Sequence, residues 1–210
     1  DGGAPDRQNP GRPAMISPRL YIEPPQTEDE TSFWTTDEEV AQAAAFRSER
    51  RRREFLTWRA IGRRGLGCHT RIAYDELGAP SLPDGEAYVA VSHCSGRVAV
   101  CLSPNRCAVD IERADRDFSR VAARFLTPDE AALSTDPRWP GLVWCAKETL
   151  YKYAGQRNLN LLRDLRIEHV GSNPDVPLNE WTIEGRIGHE EEPILLSAGC
   201  IEDFLVVYIL

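Results

Sequence analysis

The chain has 210 residues, 41% hydrophobic and 28% charged, with a net charge of −8. That length and balance give a soluble globular protein with one sizeable core, or two small lobes sharing one. The acidic balance argues against nucleic acid or an anionic membrane as partner, and no run approaches the roughly 20 apolar residues of a membrane span.

Residues 1–19 are rich in Pro and Gly and lack the apolar centre of a secretory signal, so a flexible N-terminal segment is expected there. Residues 37–65 read as helix, with Asp37 as cap and a break near Ser48; Val40, Ala44, Phe55, Trp58 and Ile61 supply its apolar stripes. Between Arg47 and Arg64, eight arginines stand against Glu49 and Glu54, a local excess of six positive charges in an acidic protein. A turn-rich link, "YDELGAPSLPDGEA", follows. "AYVAVSHC" and "RVAVCLS" then form a hairpin around a Ser-Gly turn, and "CAVDIE" is a third strand.

The second half repeats this order loosely. "DFSRVAARFLTPDEAAL" and "PGLVWCAKETLYKYAG" are predicted helices, with Thr127 capping a new start and Pro128 at its first position. "LRIEHV", "EWTIEGRI", "PILLSAGCIE" and "DFLVVYIL" supply strands. Helices followed by a β-meander, twice, predict an α+β pseudo-duplication with halves at 20–104 and 105–210.

Six cysteines, at 68, 94, 101, 107, 145 and 200, form no CxxC pair and mostly sit in apolar surroundings. Reduced, buried thiols in a cytoplasmic protein are the expected state, and the spacings form no zinc pattern for a thiol- or metal-storage role.

Of the 25 basic residues only two are lysine, Lys147 and Lys152, five apart in "WCAKETLYK". Arginine is a planar fork that stays protonated, whereas lysine is a compact ammonium that shifts its pKa and exchanges a proton. Trp144, Glu148 and Lys152 share one helix face, so an ordinary Glu148–Lys152 salt bridge is the plainest reading. Asp110 and Glu112 in "VDIE" face the same way on a strand, with Val109 and Ile111 turned inward. Two carboxylates so placed repel unless solvent or a cation separates them, and a hard cation such as Mg²⁺ takes oxygen ligands of this kind. Glu148 is the candidate third carboxylate. "SHC" invites a Ser/His or Cys/His nucleophile reading, but adjacent strand residues face opposite ways and cannot form a catalytic pair.

"RRREFLTWR" (51–59), "GAPSLPDG" (78–85), "SHCSG" (92–96), "VDIE" (109–112) and "WCAKETLYK" (144–152) occur in that order over roughly residues 47 to 155. Together they resemble the 4′-phosphopantetheinyl transferase superfamily, in its monomeric, surfactin-synthetase-activating branch. The resemblance implies a pseudo-duplicated 4′-phosphopantetheinyl transferase fold. It also implies transfer of the phosphopantetheine arm of coenzyme A to a serine of an acyl, polyketide or peptidyl carrier protein, leaving adenosine 3′,5′-bisphosphate. By the same resemblance Asp110, Glu112 and Glu148 hold Mg²⁺, or Mn²⁺, on the coenzyme A diphosphate, and Asp110, Glu148 and Lys152 are the catalytic set. Lys152 meets the phosphate side of the leaving bisphosphate, and Glu148 is a candidate general base.

Ser92 and His93 fall where the family binds the 3′-phosphate region of coenzyme A, and Arg51 and Arg59 where it contacts nucleotide phosphates. For Lys147 a phosphate contact, a structural role and surface exposure stay open. The remaining arginines are solvated or face acidic carrier-protein helices. Two departures stand out. The family's frequent lysine before Gly-x-Pro is replaced by Tyr74 or Asp75, with Arg71 as candidate substitute, and Ala79 lies between Gly78 and Pro80 in place of a frequent lysine. A non-catalytic homologue that only binds coenzyme A or a carrier protein is the alternative, although such a homologue would more naturally have lost Glu148 or Asp110.

Overall fold

The computed structural model describes residues 17–83, 87–173, 175, 178–190 and 192–210. The expected flexible segment therefore lies outside the described residues up to residue 16, and Arg19 already opens the first strand, β1 (Arg19–Glu23). Two short helices, α1 (Glu28–Thr31) and α2 (Asp37–Ala44), precede the long α3 (Glu49–Leu66). The predicted break is real: Ser48 caps α3, its hydroxyl accepting from the Arg51 amide at 3.4 Å. Asp37, expected as a cap, is instead the first helical residue of α2. Thr36 takes the cap in a reciprocal box with Glu39, and Asp37 sits in the first turn, where a carboxylate suits the positive helix end. At the far end of α3, Gly67 adopts φ +69°, and its amide closes on the Arg63 and Arg64 carbonyls. That left-handed turn is one a side chain resists.

A two-residue ladder, β2 (Ala73–Tyr74) with β3 (Pro80–Ser81), ties off the turn-rich link. The hairpin β4 (Tyr88–Cys94) and β5 (Arg97–Ser103) then turns through Ser95-Gly96, with Cys94 opposite Arg97. β1, absent from the sequence expectation, pairs antiparallel with β5 and completes a three-stranded sheet of order β1-β5-β4. α3 covers this sheet through Trp58 and Ile61, packed on Val98, Val100 and Leu102.

The second half begins with β6 (Ala108–Arg113), continues through α4 (Pro128–Ala131) and α5 (Trp139–Ala154), and ends in β7 (Leu165–Ser172), β8 (Trp181–Ile187), β9 (Ile194–Ile201) and β10 (Phe204–Ile209). Its sheet has the order β6-β10-β9-β8-β7. Of the helices predicted over 117–133 with a new start at Thr127, the first is not formed and one 3₁₀ turn at Ala122–Arg124 stands there, while the four-residue α4 starts where expected. Two local forces and one tertiary contact break it up. The Asp117 carboxylate takes the Ser119 amide, Pro128 starts a new helix under the Thr127 cap, and Phe118 and Phe125 are drawn onto Trp144 of α5.

The meander expected in both halves is formed only by β7–β10, the first half having the β4–β5 hairpin in its place, but in each half the first strand pairs antiparallel with the last, β1 with β5 and β6 with β10. The sheets are unequal, with three strands and five. A shared apolar cluster containing Ala99 and Cys101 of β5, Val109 and Ile111 of β6 and Val206 of β10 joins them. No helix among the described residues is long and apolar enough to cross a membrane.

Candidate active site

Strand alternation on β6 buries Val109 and Ile111 and turns Asp110 and Glu112 to the other face. α5 lies over β6 and β10, and the Thr149 hydroxyl fastens it by donating to the Val207 carbonyl at 3.0 Å. Its core stripe includes Val143, Lys147 and Leu150, so the next stripe, Glu148 and Lys152, is carried over β6. Lys152 Nζ donates to Asp110 Oδ1 and to the Val109 carbonyl, both at 2.8 Å. The ordinary Glu148–Lys152 salt bridge gives way to this contact between α5 and β6.

Asp110 is the hub. It is buried, and its Oδ1 also accepts the Ser92 hydroxyl at 2.8 Å, while Ser92 Oγ accepts the Ile111 amide at 3.3 Å. Its Oδ2 is buried with no nitrogen or oxygen donor on it, the weak Cys145 thiol being the one further donor that acts on Asp110. Burial pushes the Glu148 carboxyl up from its ordinary value, and the charge of Asp110 adds to the rise against the pull of Lys152. Burial likewise raises Glu112, with Asp110 adding to it and Arg116 opposing. Arg116 ion-pairs with Glu112, and its guanidinium lies 5.0 Å from the ring centroids of both Phe118 and Trp144. Behind them, the Cys145 thiol is fully buried and raised far above the usual thiol range, first by burial and then by the Asp110 and Glu112 charges.

Three carboxylates share one desolvated locus that is short of positive charge. No group of three or more His, Cys, Asp or Glu side chains among the described residues is gathered closely enough to hold a metal ion as it stands. The donor set nonetheless fits a hard divalent cation, because its atoms are carboxylate oxygens and one of them is buried with no nitrogen or oxygen donor. Thiol chemistry does not fit: burial pushes Cys94 and Cys107 up to about 12, leaving neutral thiols at physiological pH.

The residues assigned to nucleotide binding separate. Ser92 and His93 face opposite sides of β4, as strand geometry requires. Ser92 is buried and committed to Asp110 and Ile111, so its hydroxyl positions the hub instead of meeting a phosphate. His93 is exposed beside α3, with Nδ1 3.3 Å from Glu54. Partial desolvation lowers its pKa and the nearby Arg51, Lys152 and Arg50 charges lower it further, against the Glu54 carboxylate. Arg51 is exposed and rests over Phe46.

Arg59, expected at a phosphate, is only 2% exposed. Its guanidinium stacks 3.4 Å from the Phe55 ring centroid, lies 3.3 Å from Glu39 and donates to the Tyr74 hydroxyl at 2.5 Å. Those bonds tie β2 to α3 and leave no fork for a ligand. Lys147 is also withdrawn. It is fully buried, 2.7 Å from Glu130 and donating to the Leu161 carbonyl at 2.8 Å. Glu130 in turn caps α4 and accepts the Ile167 amide at 2.9 Å. The phosphate-contact and surface alternatives for Lys147 both fall. Its place in the Val143–Leu150 stripe was the readable signal.

Beside the carboxylates a cavity of about 660 Å³ lies between the two halves, lined by the loop from Asp75 to Pro80, by β4 and by the C-terminal end of α5. Asp75, standing near the family's absent lysine, shapes that loop by accepting the Leu77 and Ala79 amides at 2.9 and 2.8 Å. The cations on the wall are Lys152, Arg106 and Arg157, whereas the exposed Arg71 is not part of it. Gly155, at φ +58°, ends α5 there, and a Cβ on it would strike the Arg106 guanidinium. Motif spacing gave no signal for Arg106, Arg157 or Arg116.

Residues 106–191 match the model of the 4′-phosphopantetheinyl transferase superfamily. The matched span runs from just before β6 to just after β8 and includes Asp110, Glu112, Glu148 and Lys152. No curated protein matches the chain.

Proposed function

We propose that the protein is a pseudo-duplicated, monomeric phosphopantetheinyl transferase of the surfactin-synthetase-activating type. In this reading it moves the phosphopantetheine of coenzyme A to a serine of an acyl, polyketide or peptidyl carrier protein in the cytoplasm. One observation carries it: two carboxylates of β6 and the Glu148–Lys152 pair of α5 meet around Asp110, whose buried Oδ2 lacks a nitrogen or oxygen donor, beside a cavity with three cations on its wall. The like order of strand, helices and antiparallel strands in the two halves supports the pseudo-duplication.

In this reading Asp110, Glu112 and Glu148 hold Mg²⁺ or Mn²⁺, which when bound supplies charge neutralisation at the diphosphate of coenzyme A. The chain's own groups do the rest. Arg51 and His93 from the α3 side, and Arg106 and Arg157 from the cavity wall, bind the anionic co-substrate. The carrier serine Oγ forms a bond to the β-phosphorus, and the bond from that phosphorus to the bridging oxygen of the departing adenosine 3′,5′-bisphosphate breaks. Glu148 takes the serine proton on the carboxylate oxygen that the cation leaves free. Lys152 stabilises the charge that collects on the leaving oxygen, an interaction that grows towards the transition state.

The test is the intact mass of apo-carriers of the three classes after incubation with coenzyme A and Mg²⁺. A mass gain of one phosphopantetheine is expected on at least one class, lost in Asp110→Ala and Glu148→Ala while their circular dichroism stays native. Coenzyme A binding with no mass gain on any class would move the protein to the non-catalytic alternative.

A further inference from the structure

Arg116 is the one cation at the carboxylate locus that the transfer reaction does not use. It follows β6 by three residues, and its guanidinium pairs with Glu112 and also lowers the proton affinity of Glu148. It is 37% exposed, so it is not locked in place as Lys147 is. Its planar face rests on two rings at once, Phe118 and Trp144, each 5.0 Å from the guanidinium carbon. A guanidinium stacked on aromatic faces keeps that attraction while its edge turns, because the ring quadrupole acts on the face and the ion pair on the edge. The Phe118–Trp144 shelf therefore holds Arg116 with or without its carboxylate partner.

We propose that Arg116 is a tethered counter-ion for the divalent-cation site. It neutralises Glu112 when no metal is bound and, still stacked on the Phe118–Trp144 shelf, turns its edge away when a metal takes that carboxylate. This rests on the reading of Asp110, Glu112 and Glu148 as metal ligands. The physical need is plain. Three desolvated carboxylates without a cation repel one another, and of the three Lys152 hydrogen-bonds Asp110 and acts on Glu148 through space. A flexible arginine spreads the remaining charge without a preformed ion, at the cost of competing with the metal. The metal affinity of the protein is accordingly set below what its three carboxylates alone would give.

The experiment is Mn²⁺ binding to the full chain, followed by electron paramagnetic resonance of the free ion, with and without coenzyme A. Arg116→Gln removes the competitor and should bind Mn²⁺ roughly three- to tenfold more tightly than the wild type, the size expected for losing one half-exposed ion pair and its charge. Arg116→Lys keeps the charge and should stay near the wild-type affinity. A merely structural role for Arg116 would instead weaken binding in Arg116→Gln by loosening the site. Unchanged or weaker binding in Arg116→Gln, with Asp110→Asn abolishing binding, overturns the counter-ion proposal and leaves the metal site standing. No Mn²⁺ binding by any form, wild type included, removes the metal site itself and the proposal with it.

Discussion

Lys147→Met is the sharpest test of how the site is built. Methionine is close to lysine in length and keeps the apolar stem, so the change removes the ammonium and little else. Glu130 then stays in the core at 4% exposure without its cation. Its oxygens keep the Ile167 amide and the Thr127 amide and hydroxyl, at 2.9, 2.9 and 3.0 Å. Breaking a buried pair by removing one partner costs about 3–5 kcal/mol, and three surviving donors put this case at the lower end. The Leu161 carbonyl also loses its donor, an effect of about 1 kcal/mol. A loss of roughly 3–4 kcal/mol should lower the melting temperature of a chain this size by about 10 °C.

Urea unfolding followed by tryptophan fluorescence measures the loss directly, with the slope unchanged if the native state stays compact. Lys147→Met with Glu130→Gln should be milder than the two single losses added, because no uncompensated charge is left behind. Burial lowers the folded-state pKa of Lys147 from 10.5 despite Glu130, so the unfolded chain holds that proton more tightly. Wild-type stability should therefore rise as pH climbs through the lowered pKa towards 10.5, and Lys147→Met should lack that rise. A single-variant loss under about 1 kcal/mol, or strict additivity in the double variant, would refute the buried-pair account.

Glu148→Gln should stabilise the metal-free protein at neutral pH. The raised pKa of Glu148 means the folded state holds its proton more tightly than the unfolded state. That contribution is complete below the unfolded value near 4.5 and lost as pH rises through the folded one. Melting temperatures in chelator should thus favour the variant at pH 7 more than at pH 4, and an equal difference at both would count against the repelling locus. Lys152→Arg should slow single-turnover transfer by at least about tenfold with a smaller loss in coenzyme A affinity, since a fork cannot sit as a point charge between Asp110 and the Val109 carbonyl. A near-wild-type rate would remove the leaving-group role. Gly141→Ala should cost about 1–3 kcal/mol in denaturant, because a Cβ there would press on Leu205 and come within 2.8 Å of the Phe118 ring. An unchanged midpoint would mean α5 is not packed this tightly on β10.

Local chemistry was enough to read several features of this chain. Ser48 announced the break before α3, Thr127 and Pro128 the start of α4, and Ser95-Gly96 the hairpin turn, because caps and turns are satisfied by neighbours in sequence. The period of two on β6 put Asp110 and Glu112 on one face for the same reason. What the sequence left open depended on which residue lies opposite which. Helix periodicity turns Lys147 inward and Lys152 over β6, but that the first meets Glu130 and the second Asp110 was decided only by the tertiary fold. Ser92 became a support for Asp110, and Arg59 a strut between α3 and Tyr74, only because β4 meets β6 and β2 folds back on α3. The helix expected ahead of Thr127 dissolved into turns because Phe118 and Phe125 gain more from packing on Trp144 than a marginal helix gains from its own backbone bonds. Partners of that kind are fixed by long-range packing, which no local periodicity encodes.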